Sequence, residues 1–291
     1  MKNFSLALSA ILLSSVAATS TGSKKSPFTP ARIHYDDILN ERFSLLDALE
    51  DSSGIVSMTN LPENFASIKK EVMGNLHSCL LDQQQQEGEG ESVVAEESFP
   101  DGTVRRTLAT ATTTEEGPLR LKLDKTSSSS STACQSFEKN LEHFRSIANQ
   151  ATNRFAKALS QEMEPYLSKP LLTKKGDSDP MTSYDTIEDL VANGEQLEHF
   201  HSYQKIERIG EEYDDEGDEK KMATIDLHAD QGFFIAFTPG MMMSPSNKDN
   251  KAASSDGFYI VEEDSNNTPI HVNFDVDTDD LVFMLGDGVN Q

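Results

Sequence analysis

The sequence predicts an α+β chain in which helices come first and strands come last. Three observations predict it. Through much of residues 36–160, apolar side chains recur at steps of three and four, the period of a helix with one buried face. From Leu197 onward they fall in short runs flanked by Gly, Pro, Asn and Asp, which is the pattern of strands and turns. From Gln83 to Thr132 neither period is present.

The elements follow in order. Residues 1–18 read as a signal peptide: Lys2 gives a small positive start, Phe4 to Val16 is apolar apart from serines, and Ala17-Ala18 suit a signal peptidase. The run is too short for a membrane span. The expected destination is secretion or the endomembrane system. Residues 30–82 form an N-terminal helix and strand region. Asp36 or Asp37 is expected to cap a helix carrying Ile38, Leu39, Phe43, Leu46 and Leu49. Ile55 to Thr59 reads as a strand, and Pro62 opens a helix with Phe65, Ile68, Val72 and Leu76 on one stripe.

Residues 83–132 hold polyglutamine, Glu/Gly, threonine and serine runs. They are expected to be disordered, or a surface insertion with a short strand at Leu119 to Leu123. Residues 133–167 form the strongest helix, with Phe137, Leu141, Phe144, Ala148, Ala151, Phe155, Ala158 and Leu159 on one face and Pro165 as its stop. That stripe reads as a brace against a sheet. Ile187 to Leu190 is a short helical piece, and Asn193-Gly194 a turn. The strand-rich region is 197–291, with Glu211 to Glu219 as a solvated acidic loop lacking the ligand order of a calcium loop.

Charge narrows the function classes. The chain has 25 Lys+Arg against 49 Asp+Glu, a net charge of −24. Nucleic-acid binding relies on basic residues neutralising phosphates, so it is not expected. No later stretch is apolar enough for a membrane span. The two cysteines, Cys79 and Cys134, either pair in an oxidising compartment or stay as buried thiols. Asn266-Asn267-Thr268 is a glycosylation acceptor if the chain is secreted.

The chemistry lies in Met222 to Asp230. Read as a strand, it puts Thr224, Asp226 and His228 on one face, with Asp230 two residues further. An imidazole and a carboxylate at this spacing can occupy adjacent positions on one metal, two of the three ligands of a 2-His-1-carboxylate triad. Spacing alone is weak, because His34-Tyr35-Asp36 shares it in what reads as a helix start. The surroundings of the later copy set it apart. Gln231-Gly232 reads as a turn and Phe233 to Gly240 as an apolar strand. Gly257 to Val261, Ile270 to Phe274 and Asp279 to Asp287 follow as further strands.

That order, strand, His-x-Asp-x-Gly, apolar strand, Gly-Phe-Tyr-Ile, strand, Leu-Val-Phe-Met-Leu-Gly-Asp, resembles the isopenicillin N synthase-like branch of the Fe(II)/2-oxoglutarate dioxygenases. The resemblance covers Met222–Gly288 and, more faintly, Ile33–Asn60. It implies a partial double-stranded β-helix, or jelly roll, braced by the N-terminal helices. It implies Fe(II) and 2-oxoglutarate as cofactors, His228 and Asp230 as metal ligands, and hydroxylase or oxidase chemistry on a small-molecule or peptide substrate. The sequence departs from the family after Gly288, where the family's second histidine and 2-oxoglutarate-binding arginine have no counterpart. The chain as given is therefore expected to be incomplete or inactive. His271 precedes Gly286-Asp287 and reads as a strand residue. His199 and His201 share one side of a strand and can line a pocket. Two other readings stand beside this one. One is a secreted, acidic, non-catalytic interaction protein on a degenerate jelly roll. The other, a cupin-type site, would want more histidines near His228 than the sequence has.

Overall fold

A computed structural model describes residues 7–10, 27–62, 64–86, 94–112, 131–167, 170–173, 180–194, 196–205, 225, 228–230, 232–241, 243, 258–261, 269–274 and 280–286. In chain order the elements are β1 (Ala7–Ala10), β2 (Ala31–His34), α1 (Leu45–Glu50), β3 (Ile55–Thr59), α2 (Phe65–Gln86), β4 (Val94–Ser98), β5 (Thr103–Thr112) and α3 (Thr132–Met163). Then come β6 (Leu171–Thr173), β7 (Thr182–Tyr184), α4 (Ile187–Asn193), β8 (Gln196–Lys205), β9 (Phe234–Thr238), β10 (Tyr259–Ile260), β11 (Ile270–His271) and β12 (Leu281–Leu285). The chain is α+β, as its periodicities require.

Eight strands form one open sheet in the order β2-β3-β12-β9-β1-β8-β5-β4, with β10-β11 and β6-β7 as separate ribbons. Neighbours run antiparallel at β3/β12, β12/β9, β8/β5 and β5/β4. They run parallel at β2/β3 and on both sides of β1. None of these sheets closes into a barrel. Among the described residues, no helix is long and apolar enough to cross a membrane.

One face of the sheet carries the main core. The stripe read on α3 is what packs there. Phe137 meets Phe200 of β8 edge-on at 5.5 Å, and Phe155 stacks on Phe283 of β12 at 4.2 Å while meeting Phe234 of β9 at 5.0 Å. α3 thus crosses from β8 to β12. Phe65 of α2 stacks on Phe144 at 5.5 Å, setting the second helix beside the first. Each fully buried phenylalanine contributes roughly 1.5–3 kcal/mol of apolar burial. One charge pair enters this layer: Arg145 Nε of α3 donates to both carboxylate oxygens of Glu198 on β8, at 2.9 and 3.1 Å. The fork geometry of guanidinium on carboxylate satisfies both partners where water cannot reach.

A smaller core lies on the opposite face. Ile55, Val282 and Phe237 of the sheet pack with Val272 and Phe274, next to the β10-β11 ribbon. Phe237, Phe258 and Phe274 form a ring cluster with centroids 5.2–5.7 Å apart.

Four expectations are corrected or extended. First, the helix expected from Asp36 or Asp37 starts only at Leu45, with Ser44 as its cap. Asp36 and Asp37 stay in turns, with Asp36 N donating to His34 Nδ1 at 3.2 Å. The cause lies far along the chain. The Glu162 carboxylate of α3 accepts from Leu45 N at 2.7 Å, Leu46 N at 3.0 Å and Ser44 Oγ at 3.0 Å. It thereby satisfies N–H groups that have no partner within the helix. Second, the stretch 83–132 is not uniformly without structure. α2 runs through Gln83–Gln86, and β4 and β5 form a hairpin beside β8 with Val94, Val104 and Leu108 buried. Gln84 and Glu96 both hold Arg106, which explains how a glutamine run stays helical there.

Third, Cys79 and Cys134 are joined as a disulfide, with S–S 2.04 Å, tying α2 to the first turn of α3. Fourth, Ala7–Ala10, inside the stretch read as a signal peptide, forms β1 between β8 and β9. The rest of residues 1–18 lies outside the described residues. So do Leu119 to Leu123, Glu211 to Glu219 and the Asn266 acceptor.

Candidate functional site

Of the Met222–Asp230 stretch read as a strand, only Ile225, His228, Ala229 and Asp230 lie among the described residues, and none of these four is in a strand. Gly232 and Phe233 lead from them into β9. His228 Nε2 and Asp230 Oδ1 are 3.7 Å apart, with the side chains 61% and 32% exposed. Two donor atoms each ~2.1 Å from one ion are roughly 3 Å apart when they meet at a right angle. A small side-chain rotation therefore lets this pair share a cation. The donor chemistry, imidazole nitrogen with carboxylate oxygen, suits iron or zinc.

Electrostatics points the same way. Burial pushes the Asp230 carboxyl above its ordinary value, against the opposing pull of His228. A partly desolvated carboxylate is one that a bound cation would stabilise. Among the described residues, no group of three His, Cys, Asp or Glu converges on one point. The pair offers two donor atoms, and among the described residues no third joins them.

The end of β12 packs against this turn. Gly286 N donates to Phe233 O at 3.0 Å, while on the β3 edge Leu285 N donates to Gly54 O at 2.9 Å. The Gly-Asp expected to close the last strand thus begins directly beside the His-x-Asp segment.

The other histidines separate clearly. His34 lies at the end of β2, where its Nδ1 accepts from Asp36 N at 3.2 Å in a local turn. His271 is in β11, as its surroundings predict, with its ring 5.3 Å from Tyr259 across the ribbon. His199 and His201 share a face of β8. Phe200, between them, points to the helices, so both histidines point to the face of the smaller core. Lateral register agrees: Ser57, Val282, Phe237, Ser9 and His199 form one row across the sheet. His199 is separated from the wall of that core by β1.

Around the two histidines lies a polar cluster that sequence reading did not assemble. Their rings are 5.5 Å apart, and His201 Nδ1 and Thr107 Oγ1 are hydrogen-bonded at 2.9 Å. Arg105 of β5 pairs with Glu97 of β4 and lies over the Phe99 ring. Burial lowers the pKa of both histidines, with Arg105 reinforcing it. His201, which His199 also opposes, falls to about 3. Both are neutral near pH 7. The signal that could have found this cluster is Phe99-Pro100-Asp101-Gly102, a turn sequence announcing the β4–β5 hairpin. Gly102 takes φ +82 there, and Asp101 accepts from Thr103 N at 3.0 Å.

No protein-family model matches the chain, and no curated protein matches it.

Proposed function

We propose that this chain is of the Fe(II)/2-oxoglutarate-dependent oxidoreductase type, with His228 and Asp230 as two of the metal's ligands. The observation that carries the reading is the convergence of those two donor atoms, fixed between the start of β9 and the end of β12. The arrangement of strands supports a jelly-roll ancestry. β8, β9 and β12 lie in the large sheet, while the intervening β10 and β11 form a ribbon packed across the smaller core. β8 and β9 point the same way two places apart, and β12 runs antiparallel beyond β9. The place between β8 and β9 is filled by β1, parallel to both, where an antiparallel sandwich would have an oppositely directed strand.

Iron bound at the pair would supply O₂ activation coupled to 2-oxoglutarate: substrate C–H, O₂ and 2-oxoglutarate give the hydroxylated product, succinate and CO₂. The chain's own share is to present an imidazole and a carboxylate with open positions beside them, and to keep the Asp230 side half-sheltered from water.

The test is anaerobic titration with Co(II) alone, read by ligand-field absorption, followed by succinate assay with Fe(II) and 2-oxoglutarate. Weak Co(II) binding that disappears in His228→Ala and Asp230→Ala supports the ligand assignment. Equal binding by His228→Ala removes it. Succinate formation by the wild type that is lost in both variants supports the oxidoreductase reading. A second reading, a secreted acidic interaction protein without catalysis, is favoured by the net charge of −24 and by the buried disulfide. It predicts no His228-dependent metal binding at all.

A further inference from the structure

The glycines differ in what a side chain would meet. A Cβ on Gly74 of α2 would lie 3.8 Å from Met241 Cε, an ordinary contact. Gly54 has φ +78, so its need for glycine is conformational, and a Cβ there would meet only Leu285 Cβ at 3.7 Å. At Gly194 the obstacle is Leu190 O of its own helix end. Gly286 is unlike all three. A Cβ there would collide with the Gly232 carbonyl oxygen and lie 2.9 Å from both Gly232 C and Asp230 O. Every one of these is a backbone atom of the turn that follows His228, more than fifty residues earlier in the chain.

A backbone carbonyl cannot swing aside as a side-chain tip does, so something larger must move. β12 cannot easily retreat. It is laddered to β3 on one edge and β9 on the other, with Val282 and Phe283 buried. His228, Ala229 and Asp230 belong to no strand among the described residues, and the His228 side chain is largely exposed. Any added methyl is therefore accommodated by displacing the turn. Restoring Asp230 O from 2.9 Å to the 3.4 Å of ordinary contact already takes a shift of roughly half an ångström. Metal sites tolerate ligand errors of about 0.2 Å.

We infer that Gly286 is a positioning residue for the His228/Asp230 pair. Its missing side chain lets the end of β12 lie directly on the backbone of Asp230 and Gly232, and this contact sets where the two donor atoms stand. The inference rests on the metal reading for its consequence, but not for its geometry.

The test compares the full-length wild type, Gly286→Ala and the control Gly74→Ala. The first readout needs no metal: the His228 ring cross-peaks in a proton–nitrogen correlation spectrum. The second is the Co(II) titration. Gly286→Ala is expected to move the His228 peaks and weaken Co(II) binding about tenfold or more, the usual cost of losing support behind a ligand. β9 and β12 amides should stay protected from exchange. Gly74→Ala should match the wild type in both readouts. Unchanged His228 peaks in Gly286→Ala overturn the inference. If the wild type binds no Co(II), the metal reading fails while the ring signals still decide the role of Gly286. Should Gly286→Ala not fold, nuclear Overhauser contacts in the wild type decide instead: those between the Gly286 α-protons and the Gly232 and Asp230 backbone must be present, and their absence overturns the inference.

Discussion

Opening the Cys79–Cys134 cross-link should cost more stability than any single packing contact in the molecule. The two cysteines are 55 residues apart in sequence, and both are fully buried. A cross-link of that span removes loop-closure freedom from the unfolded chain worth about 4 kcal/mol on the chain-entropy model. The span includes the glutamine, threonine and serine runs, which have little apolar surface to restrict the unfolded chain by themselves. In a domain of this size each kcal/mol moves the thermal midpoint by about 2–4 °C, so the expected loss is roughly 8–16 °C. The cleanest perturbation is reduction of the wild type, because both sulfurs remain and the core keeps its volume. Melting is followed by far-ultraviolet circular dichroism with and without a phosphine reductant, and repeated on the Cys79→Ala/Cys134→Ala double variant, in which reductant should have no effect. Midpoints that coincide within about 2 °C for oxidised and reduced wild type would refute the reasoning. They would mean that α2 and α3 hold each other as firmly without the bond.

Two further predictions concern buried charge. His201 has its pKa lowered from 6.5 to about 3 by burial, by His199 and by Arg105. Below pH 6.5 the unfolded chain takes up a proton that the folded chain refuses. Stability is then full above pH 6.5 and falls by about 1.4 kcal/mol per pH unit as the pH drops toward 3. His77 and His199 shift in the same direction and add to the slope. Urea midpoints measured from pH 7 to pH 4 should fall less steeply for His201→Gln, and parallel curves would discard the assignment. Arg145→Ala should destabilise by roughly 3–5 kcal/mol because it strands the Glu198 carboxylate in the core. The double variant Arg145→Met/Glu198→Leu should recover most of that loss. Denaturant titration decides, and a double variant no better than the single one contradicts the desolvation argument.

Local signals carried much of the fold. The α3 stripe was legible because its partners are apolar whatever their identity: Phe200, Phe234 and Phe283 reward any helix with Phe137 and Phe155 on one face. The strands now seen as β9 and β12 were legible for the same reason. What was illegible depends on distant residues. Nothing near Leu45 announces that Glu162 will cap its helix. The β4–β5 hairpin lies among low-complexity runs whose composition masked a short turn motif and three buried valine and leucine positions. At the candidate site, the His-Ala-Asp pair was legible from spacing plus neighbouring strands. The seat of Gly286 against it was not, since a close approach between backbones leaves no periodic trace. The His199/His201 cluster needed the partner strand, β5, before its polar neighbours could be named.

The position of β1 sets a choice before the chain. It is paired on both sides in the middle of the sheet, between strands that begin 186 and 224 residues beyond Ala10. The same residues lie in the stretch that reads as an export address. A segment held by the translocation machinery is not free to join a ladder, and one locked into a ladder cannot be presented to a peptidase. Were the stretch used as that address, export and completion of this sheet would be rival claims on a single short segment. The claim satisfied first would then fix whether β8 and β9 face a neighbour or a gap one strand wide.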